Sequence, residues 1–205
     1  VYNIGYMIWL KRYLIVVCFV IVVLGVYVVV RIVQEDPVDV PVVPSTALYG
    51  SNLLGVEFEY KTGLDGYVVQ EVTSSDENAE LQRTFVVIRE RDLENISEES
   101  EGPPTITMSV FKNTENQQPS EWINLHTQYS NSNLKIGGVR DVMIDGISAI
   151  RYMADGLYMS DNVVVTYGEY VYVITGMFVD EGSDIRRDFE PLLDSIRFSR
   201  AVEER

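Results

Sequence analysis

Residues 139–178 read VRDVMIDGISAIRYMADGLYMSDNVVVTYGEYVYVITGMF. Within this stretch, residues 139–144 and 147–153 flank Asp145-Gly146, and residues 162–167 and 170–178 flank Gly168-Glu169. Asp-Gly between alternating segments signals a two-residue hairpin, because both central residues of that turn need positive φ. Gly followed by any residue suits the related turn in which only the first residue needs it. Hairpins join neighbouring strands antiparallel, so the predicted sheet is largely antiparallel.

Working outward, the period of two continues toward the N-terminus. Val56-Glu57-Phe58-Glu59-Tyr60 alternates apolar and acidic residues, as a half-buried strand does. Residues 66–72 and 84–89 read as further strands, and residues 105–111 place Ile106, Met108 and Val110 on one face. Two segments have helical spacing instead. Ser120 as N-cap and Glu121 in the first turn open one helix, whose apolar face is Trp122, Leu125 and Tyr129, with Gly137-Gly138 beyond its end. Gly182-Ser183-Asp184 opens the other, with the stripe Ile185, Phe189, Leu192, Leu193 and Ile196; Ile196-Arg197-Phe198 then closes as a last strand. The pattern predicts an α+β domain over residues 48–200, an antiparallel β-sheet packed with two or more amphipathic helices, and a short tail at 201–205.

The rest of the chain is different material. Residues 13–30, YLIVVCFVIVVLGVYVVV, carry no charge, and as a helix would span about 27 Å, close to a hydrocarbon core of about 30 Å. Ile32 and Val33 extend the run if Arg31 reaches the headgroups. No small-x-small cleavage site follows closely, so residues 13–33 read as an uncleaved transmembrane helix held in the lipid bilayer, after a short apolar segment at 1–12. Lys11 and Arg12 precede the span, while Arg31 is followed by Glu35 and Asp36. That bias predicts a single-pass cell-membrane protein with its N-terminus cytoplasmic and its C-terminal domain outside. Residues 34–47, with Pro37, Pro41 and Pro44, read as an extended linker.

Charge and composition exclude several functions. The 205-residue chain has a net charge of -15. Residues 1–30 hold only Lys11 and Arg12, so the other 175 residues hold 14 basic and 31 acidic groups, a net of −17. Phosphate contacts need a basic surface, so no nucleic-acid partner is expected. One Cys, at 18 inside the apolar run, allows no internal disulfide, and one His allows no multi-His metal centre. Six acids between Glu90 and Glu101 read as a solvated loop.

Ser132-Asn133-Leu134-Lys135, Ser160-Asp161-Asn162 and Lys61-Thr62-Gly63 match three motifs of serine β-lactamases and penicillin-binding proteins. Their order is wrong, since Lys-Thr-Gly comes first here. Ser132 also lies near a helix end, and only strands separate it from Ser160. A Ser-His-Asp triad would have to use His126, which sits beside an apolar helical stripe. The sequence therefore marks no catalytic residue, no metal-ligand set and no cofactor. Tyr152, Tyr158, Tyr167, Tyr170 and Tyr172 are the candidate ligand-binding residues, as aromatic side chains that would line a groove; cross-strand packing is the alternative.

The order of elements in the outer domain resembles the PsbP-like family, whose fold is shared with Ran-binding Mog proteins. The resemblance is carried by Val56-Glu57-Phe58-Glu59-Tyr60 with Gly66-Tyr67-Val68-Val69, by Ser120-Glu121-Trp122, by Asp145-Gly146-Ile147-Ser148-Ala149 and by Tyr170-Val171-Tyr172-Val173-Ile174. Its most specific piece is Phe189-Glu190-Pro191-Leu192-Leu193-Asp194-Ser195-Ile196-Arg197-Phe198. Where the family often has Tyr-Pro and then Gly-Trp, this chain has Tyr60-Lys61 and Gly66-Tyr67. The resemblance implies a PsbP/Mog-like sandwich and a non-catalytic binding or assembly role. No residue here matches the partner or ion sites of photosystem members. The function expected is a membrane-anchored extracytoplasmic non-catalytic domain that binds an envelope protein partner or a ligand, or supports assembly at the cell envelope. A cell-envelope hydrolase using carboxylates or the Ser132/Lys135 pair, and a structural cation-binding envelope component, are the alternatives.

Overall fold

The computed structural model describes residues 45–73, 80–95 and 102–200, all within the unit Pro44–Arg205. The expected transmembrane helix at 13–33, most of the linker and the tail lie outside the described residues. Among the described residues, no helix is long and apolar enough to cross a membrane.

The fold is mostly antiparallel β-sheet with a few helices. Strands β1 (Ser45–Ser51), β2 (Val56–Thr62) and β10 (Arg197–Phe198) form a three-stranded sheet in the order β1-β2-β10. Strands β3 (Tyr67–Val72), β4 (Leu81–Arg89), β5 (Ile106–Lys112), β6 (Lys135–Ile144), β7 (Ile147–Asp155), β8 (Met159–Tyr167) and β9 (Tyr170–Phe178) form a second, in the order β3-β4-β5-β9-β8-β7-β6. Every pairing in both sheets is antiparallel. The helices are α1 (Pro119–Leu125), the single turn α2 (Thr127–Ser130) and α3 (Asp184–Ser195).

The expected turns form. Asp145 and Gly146 both have positive φ, 49° and 74°, and Ile144 pairs with Ile147. Gly168 has φ 59° and Tyr167 pairs with Tyr170. β1 begins at Ser45, so Ser45, Thr46 and Ala47, expected in the linker, pair with Thr62, Lys61 and Tyr60. The expected acidic loop starts as a 3-10 helix at Glu90–Asn95.

Alternation along the strands gives the seven-stranded sheet two buried faces. One packs Phe85, Met108, Val163, Val165 and Ile174 against Phe58 of the small sheet and Ile185, Phe189, Leu192 and Leu193 of α3. The other packs Phe111, Val164, Val171 and Val173 against Trp122 and Ile123 of α1.

The first helix differs from expectation in three ways. Its N-cap is Gln118 rather than Ser120, with Pro119 in the first turn, where its missing N–H costs nothing. It breaks at His126, whose φ of -116° and ψ of 51° are not helical. Leu125 consequently points outward, 60% exposed, and Ile123 takes the buried place beside Trp122. The second helix starts as read: the Ser183 side chain accepts from the N–H of Arg186.

Candidate functional site

The strand ends define two rims. At one lie Ser45, Thr62, Tyr67, Ile106, Asp155 and Met159; at the other lie Ser51, Val56 and the turns Asp145-Gly146 and Gly168-Glu169. β2 alone separates them by about 20 Å, at about 3.3 Å per residue.

Three of the five candidate tyrosines meet at the second rim. Tyr167 and Tyr170 flank the Gly168-Glu169 turn, and Tyr172 lies two residues along β9 on the face of Tyr170. The Tyr170 and Tyr172 rings are 6.3 Å apart at 67°. Phe198 of β10 contacts Tyr172 at 4.8 Å and Tyr167 at 5.4 Å between ring centroids. The Tyr172 hydroxyl donates to the Leu54 carbonyl at 2.6 Å, and burial pushes its pKa well above the usual phenol value. Lys112 pairs with Glu169 at 2.7 Å and places its ammonium 5.8 Å from the Tyr170 ring centre. Together with Ser199 and Arg200 these tyrosines line a cleft of about 510 Å³. Tyr170 and Tyr172 are buried, 8% and 1% exposed, and form the floor, so the ring open to a guest is that of the half-buried Tyr167, beside one carboxylate and one guanidinium.

The other two lie elsewhere. Tyr152 is on the opposite face of the sheet, in the cluster around Trp122. Its hydroxyl donates to the Ser130 carbonyl, Lys135 sits over its ring at 5.9 Å, and burial pushes its pKa up to about 12. Tyr158 stands on the β7–β8 connection at the first rim and donates to the Gly102 carbonyl at 2.9 Å. The five do not form one groove.

The motif serines are held by main-chain hydrogen bonds. Ser132 is buried and donates to the Ile123 carbonyl at 2.6 Å. Ser160 donates to the Ala154 carbonyl at 3.5 Å and accepts from Asn162 Nδ2 at 3.0 Å. Thr62 of the Lys-Thr-Gly triplet donates to the Ser45 carbonyl in the small sheet. His126 stacks on Trp122 at 4.6 Å with 6° between planes, its Nε2 3.5 Å from Glu80. Among the described residues, no group of three or more His, Cys, Asp or Glu could hold a metal ion.

Sequence reasoning missed a buried ionic cluster beneath α3. Asp161, 2% exposed, accepts from Arg151 Nε at 2.8 Å and Nη2 at 2.7 Å, and also from Arg186. Glu190 accepts from Arg151 Nη1 at 3.1 Å and Nη2 at 2.7 Å, and Glu181 from Arg186 Nε at 3.1 Å. The Asp161 hydrogen bond raises the Arg151 pKa despite burial, and the hydrogen bond from Arg151 lowers that of Glu190. Part of the signal was present: Arg151 interrupts an apolar run and Asp161 shares the strand and inward parity of Val163, but placing Arg151 on that face takes the β7–β8 pairing. Beside the cluster, a Cβ on Gly176 would lie 2.8 Å from the Phe189 ring.

Comparison with known proteins agrees with this architecture. The solution structure of cyanobacterial PsbP (CyanoP) from Synechocystis sp. PCC 6803 is similar to it at a TM-score of 0.52 and 10% sequence identity, covering 80% of this chain and 99% of that one. The fold is PsbP-like; at that identity the likeness concerns the fold alone. No protein-family model and no curated protein matches the chain.

Proposed function

We propose that this protein is a membrane-anchored, extracytoplasmic binding domain that works without catalysis, holding a protein partner of the cell envelope in the cleft of Tyr167, Tyr170 and Tyr172. The cleft carries this reading, with the half-buried Tyr167 ring beside Glu169 and Arg200 at one rim, over a floor of the buried Tyr170 and Tyr172. Residues 13–33 act as the anchor, with Lys11 and Arg12 on the cytoplasmic side. Aromatic and arginine side chains are the residue types that dominate protein interfaces. The main-chain hydrogen bonds of Ser132 and Ser160 favour binding over the serine-hydrolase alternative.

The test is a pulldown of the full chain from crosslinked membranes, beside an anchor-only control and a Tyr167→Ala/Arg200→Glu variant. A partner retained by the full chain and lost from both comparisons is expected. No enrichment over the anchor-only control counts against the reading. Alkaline extraction and protease protection on the same membranes check the anchor and its orientation separately.

A further inference from the structure

A second cleft, at the first rim, has a different chemistry. It has a volume of about 450 Å³, within the range of about 300–1,000 Å³ for small-molecule sites. It lies between Gly102-Pro103, the segment that leads from α2 into β6, the β7–β8 connection and the end of β9. None of its lining residues among those described carries a charge, in a chain where 23% of residues do; the tyrosine cleft, by contrast, includes Glu169 and Arg200. Its walls are Leu134, Leu157, Met177 and Pro103. Leu157 is 65% exposed at the mouth, and Leu134 41%.

The two side-chain hydroxyls of this lining are engaged within the protein. Tyr158 donates its hydroxyl to the Gly102 carbonyl and Ser160 donates its own to the Ala154 carbonyl, which leaves the exposed Asn131 as the one side-chain amide in the described lining. Asn131 holds φ 54°, unusual for a residue other than glycine, where α2 gives way to the turn carrying Leu134. A peptide guest would bring amide groups that find few hydrogen-bonding partners here, at a desolvation cost. A charged guest would meet no counter-charge among the described residues of the wall. An unbranched or prenyl hydrocarbon chain needs neither.

We infer that this cleft is a binding site for an uncharged alkyl or prenyl chain, separate from the tyrosine cleft and from any partner bound there. The chain can belong to a bilayer lipid or to a free amphiphile; the chemistry recognised is the same.

The test uses the full chain in phosphatidylcholine nanodiscs. Decanol bearing a mid-chain diazirine is added, irradiated and mapped by peptide mass spectrometry. Adducts should concentrate around Leu134, Leu157 and Met177. They should fall about tenfold or more with excess unlabelled decanol, or in Leu157→Asp, where a charge would border the bound chain. Leu157 is exposed enough that this variant should fold, and Tyr167→Ala should label as the wild type does. A second arm places the diazirine in the lipid acyl chain: adducts at the cleft identify the bilayer as the source, and labelling by decanol alone identifies a free amphiphile. The inference is overturned if decanol labels exposed Leu125 and Met143 as strongly as the cleft, or if its adducts survive competition. Failure of the partner pulldown leaves this result untouched.

Discussion

Replacing Asp161 with Asn keeps the shape of the side chain and removes the charge that Arg151 and Arg186 share. Breaking one member of a buried ion pair costs roughly 3–5 kcal/mol, because its partner is left charged and desolvated. Here Arg151 keeps both hydrogen bonds to Glu190, and Arg186 keeps Glu181. The loss therefore falls at the lower end, about 3 kcal/mol. Glu190→Gln is the matched perturbation on the solvent side. Its side chain is 58% exposed, so water screens the pair and the loss is about 1 kcal/mol or less. The assay is urea unfolding of the full chain in nanodiscs, read by Trp122 emission in a Trp9→Phe background. With a slope of about 2 kcal/mol per molar urea, the midpoint should fall by about 1.5 M for Asp161→Asn and by no more than about 0.5 M for Glu190→Gln. A pH series adds a signed check. Arg151 holds the Glu190 carboxyl below its ordinary range, so this contribution is complete above the unfolded value, near 4.3, and is lost as pH falls through the lower folded value. The wild type should lose that increment below about pH 4, and Glu190→Gln should not. Equal midpoint shifts in the two variants would refute the assignment of the cluster's hold to Asp161.

Gly176→Ala should destabilise by about 1–3 kcal/mol, since its Cβ meets the Phe189 ring at 2.8 Å, and Gly176→Ala/Phe189→Leu should recover part of the loss in the same unfolding assay. Ile123→Ala should cost about 2–5 kcal/mol and Leu125→Asp within about 0.5 kcal/mol, reversing the order expected from helical spacing. The Tyr152 phenol is raised to about 12, so its contribution is complete below the unfolded value, near 10, and fades as pH rises through 12. Alkaline unfolding monitored by circular dichroism should show a shallower decline over that window in Tyr152→Phe.

The hairpins and α3 were legible because their signals are local. Asp145-Gly146 and Gly168-Glu169 fix turn and register within a few residues, and the Ile185/Phe189/Leu192/Leu193 stripe has one helical period. The helix around Trp122 departs from its apolar spacing because its break at His126 is held by local side-chain contacts that periodicity does not register: His126 stacks on Trp122, while Ser130 and Ser132 bind back to the Ile123 carbonyl. The division of the tyrosines was hidden for another reason. Faces within one hairpin follow from counting by two, and the tight turns carry that count from one strand to the next. β7 and β8 are joined by Gly156-Leu157-Tyr158, which has no comparable turn signature, so the parity of Tyr152 against Tyr170 and Tyr172 cannot be carried across it. The ionic cluster needed that same parity, since Arg151 and Asp161 lie on either side of this connection.

That cluster also bears on the tyrosine cleft. Buried charge pairs often add little net stability over well-packed apolar residues, but they can fix one arrangement among several. α3 needs such fixing, because an apolar stripe on a sheet face is compatible with small slides and rotations. The Phe189 ring against Gly176 sets its position along β9, and the Arg151–Glu190 and Arg186–Asp161 bonds tie it at two further points. Near the far end of the helix, Ser195 accepts from the Glu59 N–H at 2.9 Å, joining α3 to β2. β10 follows almost at once: Phe198 pairs with Val56 and its N–H donates to Asp145. The next residues, Ser199 and Arg200, then line the cleft, with the Ser199 N–H bonded to the Gly55 carbonyl. The chain has little slack between the helix and the cleft, so the placement of Phe198 against Tyr167 and Tyr172, and of Arg200 beside them, follows from how α3 is held. The buried charges thus act on the cleft through the position of the chain, at one remove from any ligand it takes.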